Sequence, residues 1–342
     1  MATVVKSEQL GDYTGITFMR YRLDAKVNNG GFGHIYSVTD VYSGAQLIAK
    51  VEQGDSVQSK NEAAILENLN LWFFMNGGDV HEPIAHFYGA FSFHNVECLL
   101  MEPLGPNLRD LKKSTPFDRF SLRTSLFVAQ KMVEALQFVH ERDYVHRDVK
   151  PNNFCLGRRN GDRRVFVIDF GVAKRYDKSD EVAKEHVKSS FVGTSRYASY
   201  NTLAGYDDGK AGDMWGVYYT LLENVLGQVP WRQETNRQAI MPYKKQLQET
   251  AVSCKQPVTH PWFEGPRGPP PSMVAFLRHL QKARFSHDID HSLILSALCY
   301  DLHMLKYDSY APCLDWEACG FHDEIIYEFW DNPFLATITS YY

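Results

Sequence analysis

The chain has 342 residues, with 44% hydrophobic and 23% charged side chains, a balance that is ordinary for a globular protein with a sizeable core. Its formal net charge of −5 at pH 7 gives no global basic field, which argues against nucleic acid or an anionic membrane as a partner. The length favours two lobes around one cleft over two independent domains.

Neither a targeting segment nor a membrane span is predicted. Residues 1–12 are polar and lack the apolar stretch of a signal peptide. The closest approach to an apolar span, residues 215–225, is interrupted by Thr220, Glu223 and Asn224. We therefore expect an intracellular protein, cytoplasmic or nuclear.

The cysteines show no C-x-x-C pairing, so reduced thiols are expected in a chain without a signal peptide. They are Cys98, Cys155, Cys254, Cys299, Cys313 and Cys319. Zinc bound by Cys313, Cys319 and His322 is an alternative that the spacing leaves open.

The first predicted elements are three strands over residues 21–52, with a second turn at residues 42–45. The turn before it is rich in glycine, and Gly30 and Gly33 would let backbone N–H groups approach phosphate oxygens. Such a loop is also typical of an ordinary hairpin. Its interpretation therefore depends on the motifs further along the chain.

A lysine on the third strand and a glutamate on the next helix form a candidate ion pair. Residues 47–52 alternate like a strand and contain Lys50. Residues 61–67 have helical apolar spacing and contain Glu62 and Glu67. A surface pair is the more common fate of such residues, so this pair also depends on its context.

Two more strands are predicted over residues 84–101, and then a helix over residues 122–140. The apolar positions 122, 126, 129, 133, 136 and 139 of this helix recur at helical spacing. We interpret that stripe as core rather than as a cofactor site.

Residues 146–154 read H-R-D-V-K-P-N-N-F, and D-F-G comes next at 169–171. They place a carboxylate (Asp148), an ammonium (Lys150), an amide (Asn153) and a second carboxylate (Asp169) in the order that phosphoryl transfer from Mg-ATP requires. Amide and carboxylate oxygens are hard ligands that suit Mg²⁺.

The remaining elements carry fewer chemical signals. Asn160-Gly161 predicts a hairpin whose tip holds a cluster of arginines. These arginines are either solvated surface charge or a binding patch for a partner or for nuclear import. Residues 213–226 predict a buried helix ended by Gly227. A loop is expected at 260–272 and helices from there to about residue 306, whereas residues 323–342 are aromatic and acidic.

Together these motifs resemble a eukaryotic protein kinase over residues 21 to 317. The chain has no A-P-E tripeptide; G-T-S-R-Y-A-S at 193–199, G-D-M-W at 212–215 and Q-V-P-W-R at 228–232 look like the casein kinase one superfamily. The G-G-F-G loop at 30–33, G-Q-V-P-W-R at 227–232 and D-W-E at 315–317 lean toward its tau-tubulin kinase branch.

The resemblance implies an α+β bilobal fold with an ATP cleft between a small β-rich N-lobe and a larger helical C-lobe. We expect an extension at 1–20, a kinase domain at 21–318 divided near residue 104, and a tail at 319–342. The resemblance also implies ATP and Mg²⁺ as cofactors. The expected acceptors are Ser/Thr hydroxyls of proteins, because this chain has Lys150 where tyrosine kinases have an Ala-Ala-Arg arrangement.

The resemblance also assigns roles residue by residue. The expected catalytic residues are Asp148, Lys150, Asn153, Asp169 and Thr194, with Asn153 and Asp169 binding the metal. The expected ATP-binding residues are Val27, Asn28, Asn29, Gly30, Gly31, Phe32, Gly33, His34, Ile35, Ile48, Lys50, Glu62, Met101, Glu102, Leu104 and Cys155. Met101 would be the gatekeeper, Glu62 matches the family position better than Glu67, and Asp213 would brace the catalytic loop.

A substrate anion site is expected at Lys174, Arg175 and Arg196, with Lys244 and Lys245 as further options. It would favour acceptors preceded by acidic or phosphorylated residues. The alternative for Arg196 is that it ties down its own loop.

Two departures from the family pattern keep a pseudokinase scaffold open as the alternative function. Asn28 replaces the first glycine of the loop, and Ile48 stands where alanine usually covers adenine. Because a strand has period two, Ile48 should share a face with Lys50. The small Cys155 beneath adenine would compensate for the larger Ile48.

Overall fold

The structure is a computed structural model that describes residues 11–29, 33–54, 56–75, 82–93, 95–158, 162–176, 190–249, 269–283, 289–305 and 314–317. The described residues form two compact units. The first comprises the chain up to Leu104 together with Asp169–Val172, and the second comprises Gly105–Ile168 and the chain from Ala173 onward.

The first unit is built on an antiparallel sheet with the strand order β1-β2-β3-β4-β6-β5. Its elements are β1 Thr17–Phe18, β2 Tyr21–Asn29, β3 His34–Asp40, β4 Gln46–Gln53, α1 Val57–Met75, β5 Phe87–Phe93 and β6 Val96–Met101. The strands predicted over 21–52 and 84–101 are confirmed. The short β1, which pairs with the start of β2, was not predicted.

Strand alternation gives this sheet one apolar face. Leu47, Ala49 and Val51 of β4 belong to the buried core cluster, so Ile48 and Lys50 lie on the other face, as period two predicts. The turn between β3 and β4 closes through a hydrogen bond from the Asp40 N–H to the Ala45 carbonyl, at 2.9 Å. The sheet therefore presents the polar and charged residues of β4 on one side.

The second unit is mainly helical. Its elements are α2 Leu108–Ser114, α3 Leu122–Glu141, β7 Tyr144–Val145, β8 Phe154–Leu156, β9 Val165–Val167, β10 Lys174–Arg175, α4 Tyr200–Leu203, α5 Gly209–Leu226, α6 Arg237–Glu249, α7 Pro271–Lys282 and α8 His291–Met304, with short 3-10 turns at Pro116–Asp118 and Pro151–Asn153. This β-rich unit and this helical unit confirm the α+β class.

Helix α3 forms the centre of the second unit. It begins after Ser121, whose side chain accepts a hydrogen bond from the Thr124 N–H as an N-cap. The predicted stripe is confirmed as core, since Leu126, Val133 and Val139 are each 0% exposed.

Helix α5 begins at Gly209, four residues before the predicted start at Asp213. The sequence obscured this start because Gly209 and Gly212 are poor helix formers and resemble a loop. Gly216 on the same helix has a packing role, since a Cβ there would lie 2.7 Å from Cβ of Val149. Gly227, at φ 81°, ends the helix as predicted.

The strands that flank the predicted Asn160-Gly161 turn, β8 and β9, pair antiparallel, whereas the turn itself, 159–161, lies outside the described residues. Outside them too are most of the 260–272 loop, the 323–342 segment, and the proposed zinc ligands Cys313, Cys319 and His322. Among described residues no group of three or more His, Cys, Asp or Glu could hold a metal ion. None of the described helices has the length and apolar character that crossing a membrane requires.

Candidate active site

Lys50 is the centre of a buried charged cluster in the first unit. Its Nζ lies 2.6 Å from Glu62 Oε2 and 3.1 Å from Asp169 Oδ1, both as hydrogen bonds. A third carboxylate, Glu52, lies 3.0 Å away. Burial by itself would lower the pKa of Lys50, but the carboxylates outweigh burial and raise it above its ordinary value, so the side chain is an ammonium.

Helix α1 fixes this cluster to the D-F-G segment. The Phe170 N–H donates to Glu62 Oε1 at 3.2 Å, and the Asn61 side-chain amide donates to the carbonyls of Phe170 and Gly171. Glu62 is buried, whereas Glu67 on the same helix is exposed. Asp169 has φ 68°, a left-handed conformation that directs its carboxylate toward Lys50.

The glycine-rich loop is described only at its edges. Gly33 must be glycine, because a Cβ there would lie 2.5 Å from the Val51 carbonyl oxygen and 2.8 Å from Glu52 Cγ. His34 and Ile35 start β3, and the backbones of Asn28 and Asn29 pair with them. Gly30, Gly31 and Phe32 lie outside the described residues, as do the Asn28 and Asn29 side chains.

The residues predicted to contact adenine are placed in both units. Met101 ends β6 in register with Ile48, and Leu104 is the last residue of the first unit before the chain enters the second. The Glu102 N–H donates to the His86 carbonyl at 2.9 Å, so the Glu102 carbonyl is the backbone group left for the ATP contact expected at this residue. Cys155 is buried in β8 of the second unit, where burial raises the pKa of its thiol to about 12.

In the second unit, Asp213 of α5 holds the backbone of the H-R-D segment. Its carboxylate accepts hydrogen bonds from the N–H groups of His146 and Arg147, both at 2.7 Å, and from His140 Nε2 at 2.9 Å. Burial would raise the pKa of Asp213, but hydrogen bonds and the nearby histidines lower it overall, so the brace is a carboxylate. Arg147 takes φ 65° in this turn.

Three side chains converge on the carboxylate of Asp148. Lys150 Nζ lies 2.5 Å from Oδ2, the Thr194 hydroxyl donates to Oδ1 at 2.8 Å, and the Asn153 amide donates to Oδ2 at 3.3 Å. The Asn153 amide also donates to the Asp148 carbonyl at 3.0 Å, which leaves its own side-chain oxygen as the atom suited to a metal.

Gly193 brings the end of the activation segment, residues 190–199 before α4, against this turn. It has φ 90°, and a Cβ there would lie 2.5 Å from the Arg147 carbonyl oxygen. A pocket of about 40 Å³ opens beside Asp148. Its walls include Arg147, Asp148, Phe191, Thr194, Tyr197 and Asp207.

The cations predicted to bind a substrate anion have different surroundings. Lys174 Nζ lies 2.8 Å from Asp207 Oδ2, and Arg196 donates to the Arg232 carbonyl at 3.0 Å. Arg175 is exposed. The option of Lys244 as an anion contact is wrong, because its ammonium is 0% exposed and donates to the carbonyls of Ser195, Arg196 and Ala198.

Several residues around the predicted ones were not identified from the sequence. They are Glu52, Asn61, Asp207 and, in its structural role, Lys244. The position of Glu52, two residues after Lys50 on an alternating strand, was a usable signal. The other three act through contacts at least 33 residues away in the chain, which no local pattern indicates.

Comparison with known proteins agrees with this geometry. Residues 21–287 match the protein kinase domain family. A probable serine/threonine-protein kinase of Dictyostelium discoideum is 30% identical over 303 residues, which cover 87% of this chain and 57% of that protein. The chain thus spans little more than half the length of this curated relative. With both units, the Lys50–Glu62 pair and the Asp148 turn in place, the chain belongs to the protein kinase domain family.

Proposed function

We propose that the chain is a serine/threonine protein kinase, which transfers the γ-phosphate of ATP to Ser and Thr hydroxyls of proteins. The observation that carries this proposal is the convergence of Lys150, Asn153 and Thr194 on the carboxylate of Asp148. The carboxylate is held by groups that touch it directly, and the backbone of the two residues before it, His146 and Arg147, is held by Asp213. This arrangement suits a general base beside a transferring phosphoryl group.

In the reaction, Asp148 accepts the proton of the attacking hydroxyl, and Lys150 offsets charge that develops on the phosphoryl group. Lys50 has three N–H donors, two of which are used by Glu62 and Asp169, so one remains for a phosphate oxygen. Asn153 and Asp169 offer the hard oxygen atoms that fit Mg²⁺, which when bound would neutralise charge on the phosphates.

The finer assignment is to the casein kinase one superfamily, leaning to the tau-tubulin kinase branch, with a preference for acidic or phosphate-primed acceptors. Its support is the G-T-S-R-Y-A-S segment in place of A-P-E and the basic residues Lys174, Arg175 and Arg196. A chain of net charge −5 needs a local positive site to favour acidic substrates.

A pseudokinase scaffold is the alternative, and the replacement of a loop glycine by Asn28 favours it. The complete set of charged groups argues against a scaffold: Lys50, Glu62, Asp148 and Asp169 are all present. Lys50 is paired with Glu62, and Asp148 accepts a hydrogen bond from Thr194. The hypothesis that Ile48 and Cys155 compensate each other at adenine stays a prediction.

The test is phosphate transfer from labelled ATP to casein by purified protein. Wild type should transfer, and Asp148→Asn should be slower by about a hundredfold or more, the scale of a lost general base, while it still binds a fluorescent ATP analogue. If Asp148→Asn kept the wild-type rate, or if wild type bound nucleotide without transfer to any Ser/Thr substrate, the kinase proposal would fail.

A further inference from the structure

Glu52 is a buried carboxylate that the proposed mechanism does not use. It is 1% exposed and lies on β4 two residues after Lys50, so both side chains leave the same face of the strand. A carboxylate without hydration is costly unless it has partners. Its partners therefore indicate what it does.

The first partner is Lys50. Glu52 Oε1 lies 3.0 Å from Lys50 Nζ but outside hydrogen-bond geometry, so this contact is electrostatic. It places a third carboxylate around the ammonium, on the strand that carries the lysine itself. The ammonium is thus held from β4 as well as from α1 and the D-F-G segment.

The second partner is the start of helix α1. The Ser56 hydroxyl donates to Glu52 Oε2 at 2.8 Å, and Ser56 Oγ accepts the N–H of Ser59 at 3.1 Å as an N-terminal cap. Glu62 belongs to this same helix. Lys50 is therefore linked to α1 at two places. One link is direct, through Glu62, and the other runs through Glu52 to Ser56 at the start of the helix.

The third partner is the glycine-rich loop. Gly33, its last glycine, lies over Glu52, because a Cβ at residue 33 would be only 2.8 Å from Glu52 Cγ. The close contact fixes the distance between the end of the loop and the side chain that touches Lys50.

We propose that Glu52 is a positioning residue that sets Lys50, the start of α1 and the end of the glycine-rich loop at the spacing that the ATP phosphates require. This inference rests on the proposed kinase function. Glu52 acts through Lys50 and Gly33 and does not itself touch the reacting atoms. Its loss should therefore weaken binding of ATP more than it slows the transfer step.

The test compares Glu52→Gln with Glu97→Gln. Glu97 is the residue of β6 directly opposite Glu52 in the sheet, and it accepts a hydrogen bond from Ser92 instead. Glu52→Gln should raise KM for ATP about fivefold or more, with kcat within about twofold of wild type. Glu97→Gln should leave both constants unchanged. Thermal melting of each variant reports separately on stability.

Nucleotide binding is measured in parallel with a fluorescent ATP analogue, so that the inference is judged even without turnover. A Glu52→Gln protein with wild-type KM and analogue affinity would overturn it, and the kinase proposal would stand if wild type still transferred phosphate. If Glu52→Gln does not fold, Ser56→Ala replaces it, because it removes the link to α1 and the cap on that helix but leaves Glu52 beside Lys50. An unchanged KM and analogue affinity in that variant would overturn the inference as well.

Discussion

At the scale of single residues, Arg175 and Arg196 show how two cations assigned the same role can differ. Arg196 donates to the carbonyl of Arg232, and its own carbonyl accepts hydrogen bonds from Trp231 and Lys244. Arg175 is exposed on β10. The side chain of Arg196 thus contributes to the shape of the activation segment, whereas that of Arg175 is exposed to solvent, as the proposed contact with a substrate anion requires.

This contrast gives a prediction on substrate choice. Arg175→Ala should raise KM for acidic or phosphate-primed peptides more than for neutral peptides, and the gap should shrink as salt screens the contact. Arg196→Ala should weaken both peptide classes together, because it loosens the segment itself. Steady-state kinetics on paired peptides at low and high ionic strength check this. Equal losses in Arg175→Ala at low salt would remove Arg175 from substrate recognition.

At the scale of elements, α6 supports the end of the activation segment through one buried lysine. Lys244 donates to the carbonyls of Ser195 and Arg196 at 2.9 Å and to that of Ala198, and its Nζ lies 4.3 Å from the ring centre of Tyr219. Burial lowers the pKa of Lys244, but three carbonyl acceptors need three N–H donors, which only the ammonium has.

Replacing this lysine should therefore damage folding and substrate binding together. Lys244→Met keeps most of the apolar stem but removes one donor from each of three carbonyls, of which that of Arg196 keeps Trp231, and this should cost about 3 kcal/mol of unfolding free energy. Urea denaturation measures the loss. The matched control is Lys245→Met, since Lys245 is exposed and only 3.6 Å from an exposed Glu249, a surface pair worth about 0–1 kcal/mol. Equal stability of the two variants would contradict the role given to Lys244.

The same elements show what local patterns can predict. Alternation of apolar and polar residues was sufficient to predict β2 to β6, and helical spacing of apolar residues was sufficient to predict α3. Burial on one face of an element imposes these periods. The start of α5 was misplaced because Gly209 and Gly212 are poor helix formers, so helix propensity does not indicate that the helix begins there. The motifs indicated Lys50, Glu62 and Asp148, but not that Asp207 would pair with Lys174 or that Lys244 would be buried, since both depend on tertiary contacts.

At the scale of the whole molecule, a chain of buried polar groups joins three helices of the second unit to residues 146–148, the proposed catalytic turn. His291 of α8 is hydrogen-bonded to His140 of α3 at 2.9 Å, and His140 to Asp213 of α5. Asp213 in turn holds the backbone of His146 and Arg147. Protonation at one end of this chain must therefore affect the stability of the unit that contains the catalytic turn.

The pKa of His291 is lowered from 6.5 to about 3, first by burial and then by electrostatic interactions with His140, Lys210 and His279, which Asp290 only partly offsets. Between these two values the unfolded chain binds a proton at residue 291 and the folded chain does not. The contribution of His291 to the free energy of unfolding is therefore fully present above pH 6.5 and decreases as the pH falls toward 3.

His291→Gln should reduce this dependence on pH. Urea denaturation at intervals from pH 7 to pH 4 should show a shallower loss of unfolding free energy than in wild type, by at most about 1.4 kcal/mol per pH unit. Both proteins should keep the loss of unfolding free energy in acid that comes from Asp213, because the pKa of this carboxyl is also lowered in the folded state. His303→Gln, which changes an exposed histidine of the same helix, is the control. Parallel curves for His291→Gln and wild type would mean that His291 takes up its proton equally in both states, and the buried chain would then not govern stability in acid.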